Sequence, residues 1–314
     1  MSWSVYWFMF PVCIVIATAA MFSGISGAAL LTPTFLIGFP LFSLPRLGTV
    51  AAIGTSLFLE TSGFGTGLVR YLRARLVDLK TAKSLILLCF PLGVLGSIAA
   101  SRVPADLLRL GYGIAMLGLA YVLLQDNDKG KRPSDELTVG PGAQEPAPLV
   151  VCDSDQAHQH CRDGSHRQLR AASGRVYDFC AHGLGLQQAI SGGGALIAGM
   201  ISTGVGEATL PPLVRRSKFP VPVAAATSTV VVACTVAGAA VTHFVELIQH
   251  GGLSAVPWNL LAYAVPGAII GAFIGTRLQG RVSEKAARLF FAGLFAAIGV
   301  AFLLAFTVFK HRFA

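Results

Sequence analysis

The chain predicts an all-α polytopic membrane protein. It is expected to form two inverted repeats, each a broken helical hairpin plus three transmembrane helices, with a small β-containing cytoplasmic insert between them. Three observations predict this. The 314 residues are 54% hydrophobic and 12% charged with a mean hydropathy of +0.67, where a soluble domain has about a quarter charged residues. Apolar runs at 2–44, 47–69, 84–101, 110–124, 184–213, 219–244, 253–276 and 289–309 approach the roughly 20 residues a spanning helix needs. Finally, PLGVLGSIAASR, from Pro91 to Arg102, returns 175 residues later as PGAIIGAFIGTR, from Pro266 to Arg277, in the same Pro-x4-Gly-x5-Arg frame. The expected divisions are 1–124 for the first repeat, 125–183 for a polar linker and Cys/His-rich insert, and 184–314 for the second repeat.

Backbone groups in lipid must bond internally, so the apolar runs are read as helices. The opening MSWSVYWFMF has no basic residue ahead of its apolar run, so it is read as retained structure and not as a cleaved signal. A net charge of +9 in such a chain more often marks loop topology, which argues against a nucleic-acid binder.

Basic residues cluster at Arg70, Arg73, Arg75, Lys80 and Lys83, at Lys129, Lys131 and Arg132, at Arg215, Arg216 and Lys218, and at Arg277, Arg281, Lys285 and Arg288. All four clusters are expected to be cytoplasmic. The connection from His243 to Trp258 has no Lys or Arg and belongs on the other side. If the runs beginning at 2 and 184 each crossed once, the last two basic clusters would lie outside. The conflict disappears if each run enters and returns, because each half then makes an odd number of crossings and the second half is inverted.

Breaks for such hairpins stand at Phe22-Ser-Gly-Ile-Ser-Gly27 ahead of Pro33, and at Ile201-Ser-Thr-Gly-Val-Gly206 ahead of Pro212. Glycine permits sharp backbone paths and proline removes a donor. Small residues also serve close helix packing. Recurrence at equivalent places of both halves favours broken helices at a central binding site. A second matched pair follows, Thr55-Ser56 and Thr227-Ser228. Hydroxyls in such helices usually bond their own backbone, but paired in this way they are also candidate ligand donors.

Together the hairpin motifs, the Thr-Ser pairs, the basic connection into Val77-Asp78 and the Pro-x4-Gly-x5-Arg frames resemble the sulfite exporter TauE/SafE family of membrane permeases, over about residues 10–124 and 184–308. The resemblance implies a secondary transporter, working as an exporter, of sulfite or another sulfur-containing or organic anion across the cytoplasmic membrane, not an enzyme. It implies substrate contacts at Gly24, Gly27, Thr55, Ser56, Gly204, Gly206, Thr227 and Ser228, with backbone N–H groups and helix ends at the breaks holding the anion. Both copies depart from the family's Gly-x-Gly-Gly-Gly pattern, reading Gly24-Ile-Ser-Gly27-Ala28 and Gly204-Val-Gly206-Glu207-Ala208. An ionised Glu207 opposes an anion. No Gly-x4-Gly-Lys-Ser/Thr motif occurs, so a gradient is the expected driving force.

Charged groups in a bilayer are costly and functional by default, which makes Glu60 and Glu207 the candidate carriers of a coupling proton. For Glu207 a helix-start role competes, and Glu60 could instead bond a neighbouring helix. His243, at a span's outer end, reads as interfacial.

Residues 126–181 turn polar. KRPSDELTVGPGAQEPAPL reads as a flexible linker, and RQLRAASGRVYDF, with alternation on both sides of Ser173-Gly174, reads as a hairpin. Around it stand Cys152, His158, His160, Cys161, His166, Cys180 and His182. A cytoplasmic location argues against disulfides. Zinc held by Cys152, Cys161, Cys180 and His160 is the sharper reading, without the usual ligand spacing. A small solvated hairpin with incidental histidines is the blander one. The competing function is therefore a metal-responsive sensor or assembly protein, or a transition-metal exporter. Cys13, Cys89 and Cys234 show no mutual pattern in the spans and read as packed small hydrophobes. The expected partners are the lipid bilayer and a small anion. The sequence leaves the oligomeric state open.

Overall fold

A computed structural model describes residues 3–23, 26–125, 166–181, 183–203, 205–278 and 284–308. A short 3-10 turn, Trp3–Tyr6, leads into α1 (Met9–Ser23). After the break come α2 (Ala28–Pro33), a π-helical turn at Thr34–Gly38 and the single turn α3 (Phe39–Leu41). Three long helices complete this half: α4 (Thr49–Arg73), α5 (Leu79–Arg102) and α6 (Ala105–Gln125). After the hairpin of β1 (His166–Arg170) and β2 (Val176–Cys180), the second half repeats the order. It contains α7 (Leu184–Ile201), a break, α8 (Val205–Arg215), then α9 (Val221–Gly251), α10 (Trp258–Leu278) and α11 (Glu284–Val308).

Among the described residues, five helices are long and apolar enough to cross a membrane: Leu79–Arg102, Ala105–Leu124, Leu184–Ile201, Val221–Gly251 and Trp258–Leu278. The predicted span at 47–69 is observed as α4, whose 25 residues extend about 37 Å at 1.5 Å per residue. It falls outside that set because its glycines, hydroxyls and Glu60 lower its apolarity. Those same residues suit it to an interior position, where Thr55, Ser56 and Leu57 are wholly buried.

Packing between the halves is reciprocal. Helix α1 packs on α10 and α7 on α5, α4 packs on α9, α6 packs on α11, and α2 lies on α4 as α8 lies on α9. The repeated Pro-x4-Gly-x5-Arg frame marks two of these crossings. A Cβ on Gly96 would enter the backbone of Leu196 in α7, and one on Gly271 would meet Ile14 Cα and Ala17 Cβ at 2.9 Å. Glycine is there because two helix backbones touch. Pro91 and Pro266 sit inside their helices, which membrane helices tolerate where neighbours re-satisfy freed carbonyls.

Asp78 starts α5 by accepting from the Lys80 amide (3.3 Å) and the Thr81 hydroxyl (2.6 Å), a standard side-chain cap. Ser202 ends α7 in the left-handed region (φ 57°), its amide donating to Ala198 O at 2.8 Å. Such a conformation costs a non-glycine residue about 1–3 kcal/mol and persists where surroundings hold it.

The hairpin forms at Ser173-Gly174 as its alternation predicts, with Leu169 opposite Tyr177 and Gly174 at φ 83°. It is not the solvated module of the blander expectation. Ala171, Tyr177, Phe179 and Ala181 are buried in the main hydrophobic core, and Phe179 packs on Phe219 with ring centroids 4.7 Å apart. The expectation of reduced thiols fails at Cys180, which is disulfide-bonded. A sulfur shared in a disulfide is not a thiolate ligand, so Cys180 leaves the proposed zinc set. Cys152, His160 and Cys161 lie outside the described residues. Among the described residues no group of three or more His, Cys, Asp or Glu is placed to hold a metal, and zinc is not supported.

Candidate functional site

The two breaks meet. In the second half, α8 doubles back on α7: Gln187 Nε2 donates to Thr209 O (3.0 Å), and Ser191 Oγ reaches Ala208 O (3.5 Å). This return brings the start of α8 against the residues that precede α2. The Ser26 amide donates to Glu207 Oε1 at 3.2 Å, and the Ser26 hydroxyl donates to Glu60 Oε1 at 2.6 Å. One serine thus joins a carboxyl from α4 to a carboxyl from the other half of the molecule. Glu60 is only 6% exposed, deep enough that its hydroxyl partner replaces water.

A second chain of hydroxyls crosses the same seam. Ser56 Oγ donates to Ala52 O (2.8 Å), Thr32 Oγ1 donates to Ser56 (2.9 Å), and Thr32 and Ser202 oxygens stand 2.6 Å apart. Each hydroxyl has one proton, so Ser202 is the donor to Thr32. That bond joins the strained end of α7 to α2 and explains what holds Ser202 in its conformation. Tyr112 of α6 adds a bond from its hydroxyl to Ala29 O at 2.7 Å.

Beside these contacts lies a cavity of about 80 Å³, lined among others by Ser26, Glu60, Tyr71, Ser202, Thr203, Gly206 and Ser228. One water needs roughly 10–15 Å³ on this measure, so a small anion with a few waters fits. No Lys or Arg is among the described lining residues. Buried Thr203 Oγ1 has no hydrogen-bond partner, which leaves a donor free at the cavity wall.

The residues singled out from the sequence divide. Gly206, Glu60 and Ser228 line this cavity, Gly27 lines a smaller one that shares Glu60, and Glu207 is reached through Ser26. Ser56 bonds its own backbone and Thr32. Thr227 Oγ1 accepts the Asp78 amide at 3.1 Å, so it is committed to the α4–α5 connection. Thr55 Oγ1 is buried and unpartnered but does not border the cavity. Gly24 and Gly204 lie outside the described residues. Ser228, despite its place at the wall, also bonds backwards to Ala225 O (3.1 Å).

Sequence reasoning missed Ser26, Thr32, Ser202, Thr203 and Tyr112. Four of these sit in or beside the break motifs, and their only signal was a hydroxyl next to a glycine break. His243 departs from its expected interfacial place: it is wholly buried, with Nε2 2.9 Å from Gly199 O. A carbonyl only accepts, so Nε2 carries the proton. A Cβ on Gly54 would lie 2.7 Å from His243 Cβ, so the glycine makes room for the imidazole.

The sulfite exporter TauE/SafE family model matches residues 9–302. No curated protein and no solved structure matches the chain. A match over nearly the whole length, on a bundle whose two breaks converge beside a cavity, shows that the chain belongs to the sulfite exporter TauE/SafE family of membrane transporters.

Proposed function

We propose that the chain is a secondary transporter, working as an exporter, of sulfite or another sulfur-containing or organic anion, by alternating access between two inverted repeats in the cytoplasmic membrane. The observation that carries this is the contact between the breaks, Ser26 to Glu207 and Ser202 to Thr32, beside a cavity that both halves line. Inversion is supported by the reciprocal packing of the halves and by Arg70, in the last turn of α4, bonding Thr276 at the end of α10. That contact sets the end of α10 beside the end of α4, which supports copies of the repeated frame that run oppositely.

The chemistry of the cavity dictates how an anion enters. It offers hydroxyls and amides but no full positive charge, and two carboxyls flank Ser26. Like charges in a poorly solvated site repel strongly, so an anion is admitted when Glu60 and Glu207 hold protons. Ser26 then donates elsewhere, and Thr203, Ser228, Gly27 and Gly206 supply further contacts. Binding without a full counter-charge is weak and reversible, and release is coupled to loss of the proton. Thr55, with its unspent hydroxyl, is the candidate donor that a small shift of α4 would turn to the ligand.

Flux in proteoliposomes under an imposed pH gradient tests this, with sulfite, thiosulfate and sulfoacetate as substrates. Accelerated movement of at least one anion is expected; three anions that ignore the gradient would sink the proposal. The side occupied by the insert is a separate matter. Basic connections favour the cytoplasm, whereas the Cys180 disulfide favours an oxidising compartment. Labelling of Gly140→Cys in intact cells decides: protection is expected, and reaction with an impermeant reagent reverses the topology.

A further inference from the structure

The insert is tied to the transport bundle at the α4–α5 and α8–α9 connections. Arg167, on β1, reaches both carboxylate oxygens of Asp78 through one nitrogen, at 3.1 and 3.0 Å, and the two side chains are only 13% and 9% exposed. The amide of Ala172, in the hairpin turn, donates to Ala74 O at 2.9 Å. Phe179 lies on Phe219, in the α8–α9 connection of the other half. The hairpin therefore spans the seam between halves: two contacts fall on the α4–α5 connection and one on its counterpart.

Asp78 is the centre of this arrangement. Its carboxylate holds Arg167, the Lys80 amide and the Thr81 hydroxyl, while its own amide donates to Thr227 of α9. Insert, first half and second half are joined at one residue. Tyr71 and Ala225 line the cavity, each within a turn of a residue in this junction, Ala74 and Thr227. The cavity therefore ends beneath the hairpin.

We propose that the hairpin is the closing element of the cavity at this end and that Arg167 is its latch, an inference that rests on the transporter reading above. Opening here moves α9 away from α4, and the Asp78 to Thr227 contact cannot lengthen while Arg167 and Phe179 hold both sides of the seam. Separating a buried ion pair leaves unpaired charge, so the latch favours the closed state. Arg167 is a positioning residue: it touches no substrate and acts through Asp78.

Accessibility of the cavity reads this directly, whatever the substrate. In full-length protein in vesicles with the hairpin end exposed, Ala225→Cys is labelled by an impermeant maleimide, with the modified site assigned by mass spectrometry. Adding Arg167→Ala is expected to speed labelling about tenfold, a modest shift of a two-state equilibrium. Arg167→Lys, which keeps the charge, is expected to fall between. Ala172→Pro, which removes a different contact, is expected to act in the same direction. Equal rates in all four proteins overturn the proposal and leave the hairpin a static brace. If labelling responds as expected but sulfite, thiosulfate and sulfoacetate do not move, the latch stands and the anion-transport reading falls.

Discussion

The two breaks share a frame and differ in chemistry. Aligned on Gly27 with Gly206 and Pro33 with Pro212, the first break has Ser26, Ala28 and Thr32 where the second has Val205, Glu207 and Pro211. Aligned on the Thr-Ser pairs, Glu60 of α4 corresponds to Val232 of α9. The two halves therefore place different side chains on one frame. The Ser26 amide and the Thr32 hydroxyl of one half meet Glu207 and Ser202 of the other, and bonds within the first half, Ser26 to Glu60 and Thr32 to Ser56, extend the cluster. The shared order of elements gives the scaffold. Differences between the two breaks explain why the polar cluster is not symmetric.

The largest effect should come from the acids. Glu60→Gln and Glu207→Gln keep hydrogen bonding but remove the titrating proton, and pH-gradient-driven sulfite flux is expected to fall at least about tenfold in each. Unchanged gradient dependence in both would separate the carboxyls from coupling. A loss confined to one would assign the proton to that half of the asymmetric pair.

Next in size are the two glycine crossings, which occupy matching places and should respond alike. Gly96→Ala and Gly271→Ala force a methyl group into a facing backbone, costing about 1–3 kcal/mol each. Thermal melts in detergent would show matched falls. A mutation that leaves the melting temperature intact would mean that its crossing is looser than the packing shows.

Smaller and unequal effects should separate the Thr-Ser pairs. Thr227→Val strands the Asp78 amide, at about 1–3 kcal/mol. Thr55→Val removes a hydroxyl that has no partner, and its stability is expected to stay within about 0.5 kcal/mol of the parent while sulfite flux falls. Equal melting temperatures for the two variants would cancel the distinction. Undiminished flux in Thr55→Val would reject the assignment of Thr55 as a ligand donor.

Much of the scaffold was legible because it follows from local properties. Apolar run length, the recurring Pro-x4-Gly-x5-Arg frame and glycine breaks ahead of prolines are written within single segments, and the helices, crossings and interruptions appear where those signals stand. The hairpin turn at Ser173-Gly174 was legible for the same reason. The site was less so. Ser26 and Thr32 differ from ordinary membrane hydroxyls only in what stands opposite them. Thr55 and Thr227, indistinguishable as motifs, diverge because one faces the Asp78 amide and the other faces no partner. His243 looked interfacial by its place along a span, yet Gly54 of another helix makes a buried pocket for it.

The sequence by itself determined a lipid-embedded helical chain with two interruptions, because solvent partitioning and backbone freedom act residue by residue. Only the tertiary structure decided that Ser26 joins Glu60 to Glu207, that the hairpin is buried and tied to Asp78, and that Cys180 is spent in a disulfide. The contacts of Ser26 with Glu207 and of Arg167 with Asp78 depend on atoms brought together from distant parts of the chain, and no spacing along one segment encodes what the other half will present.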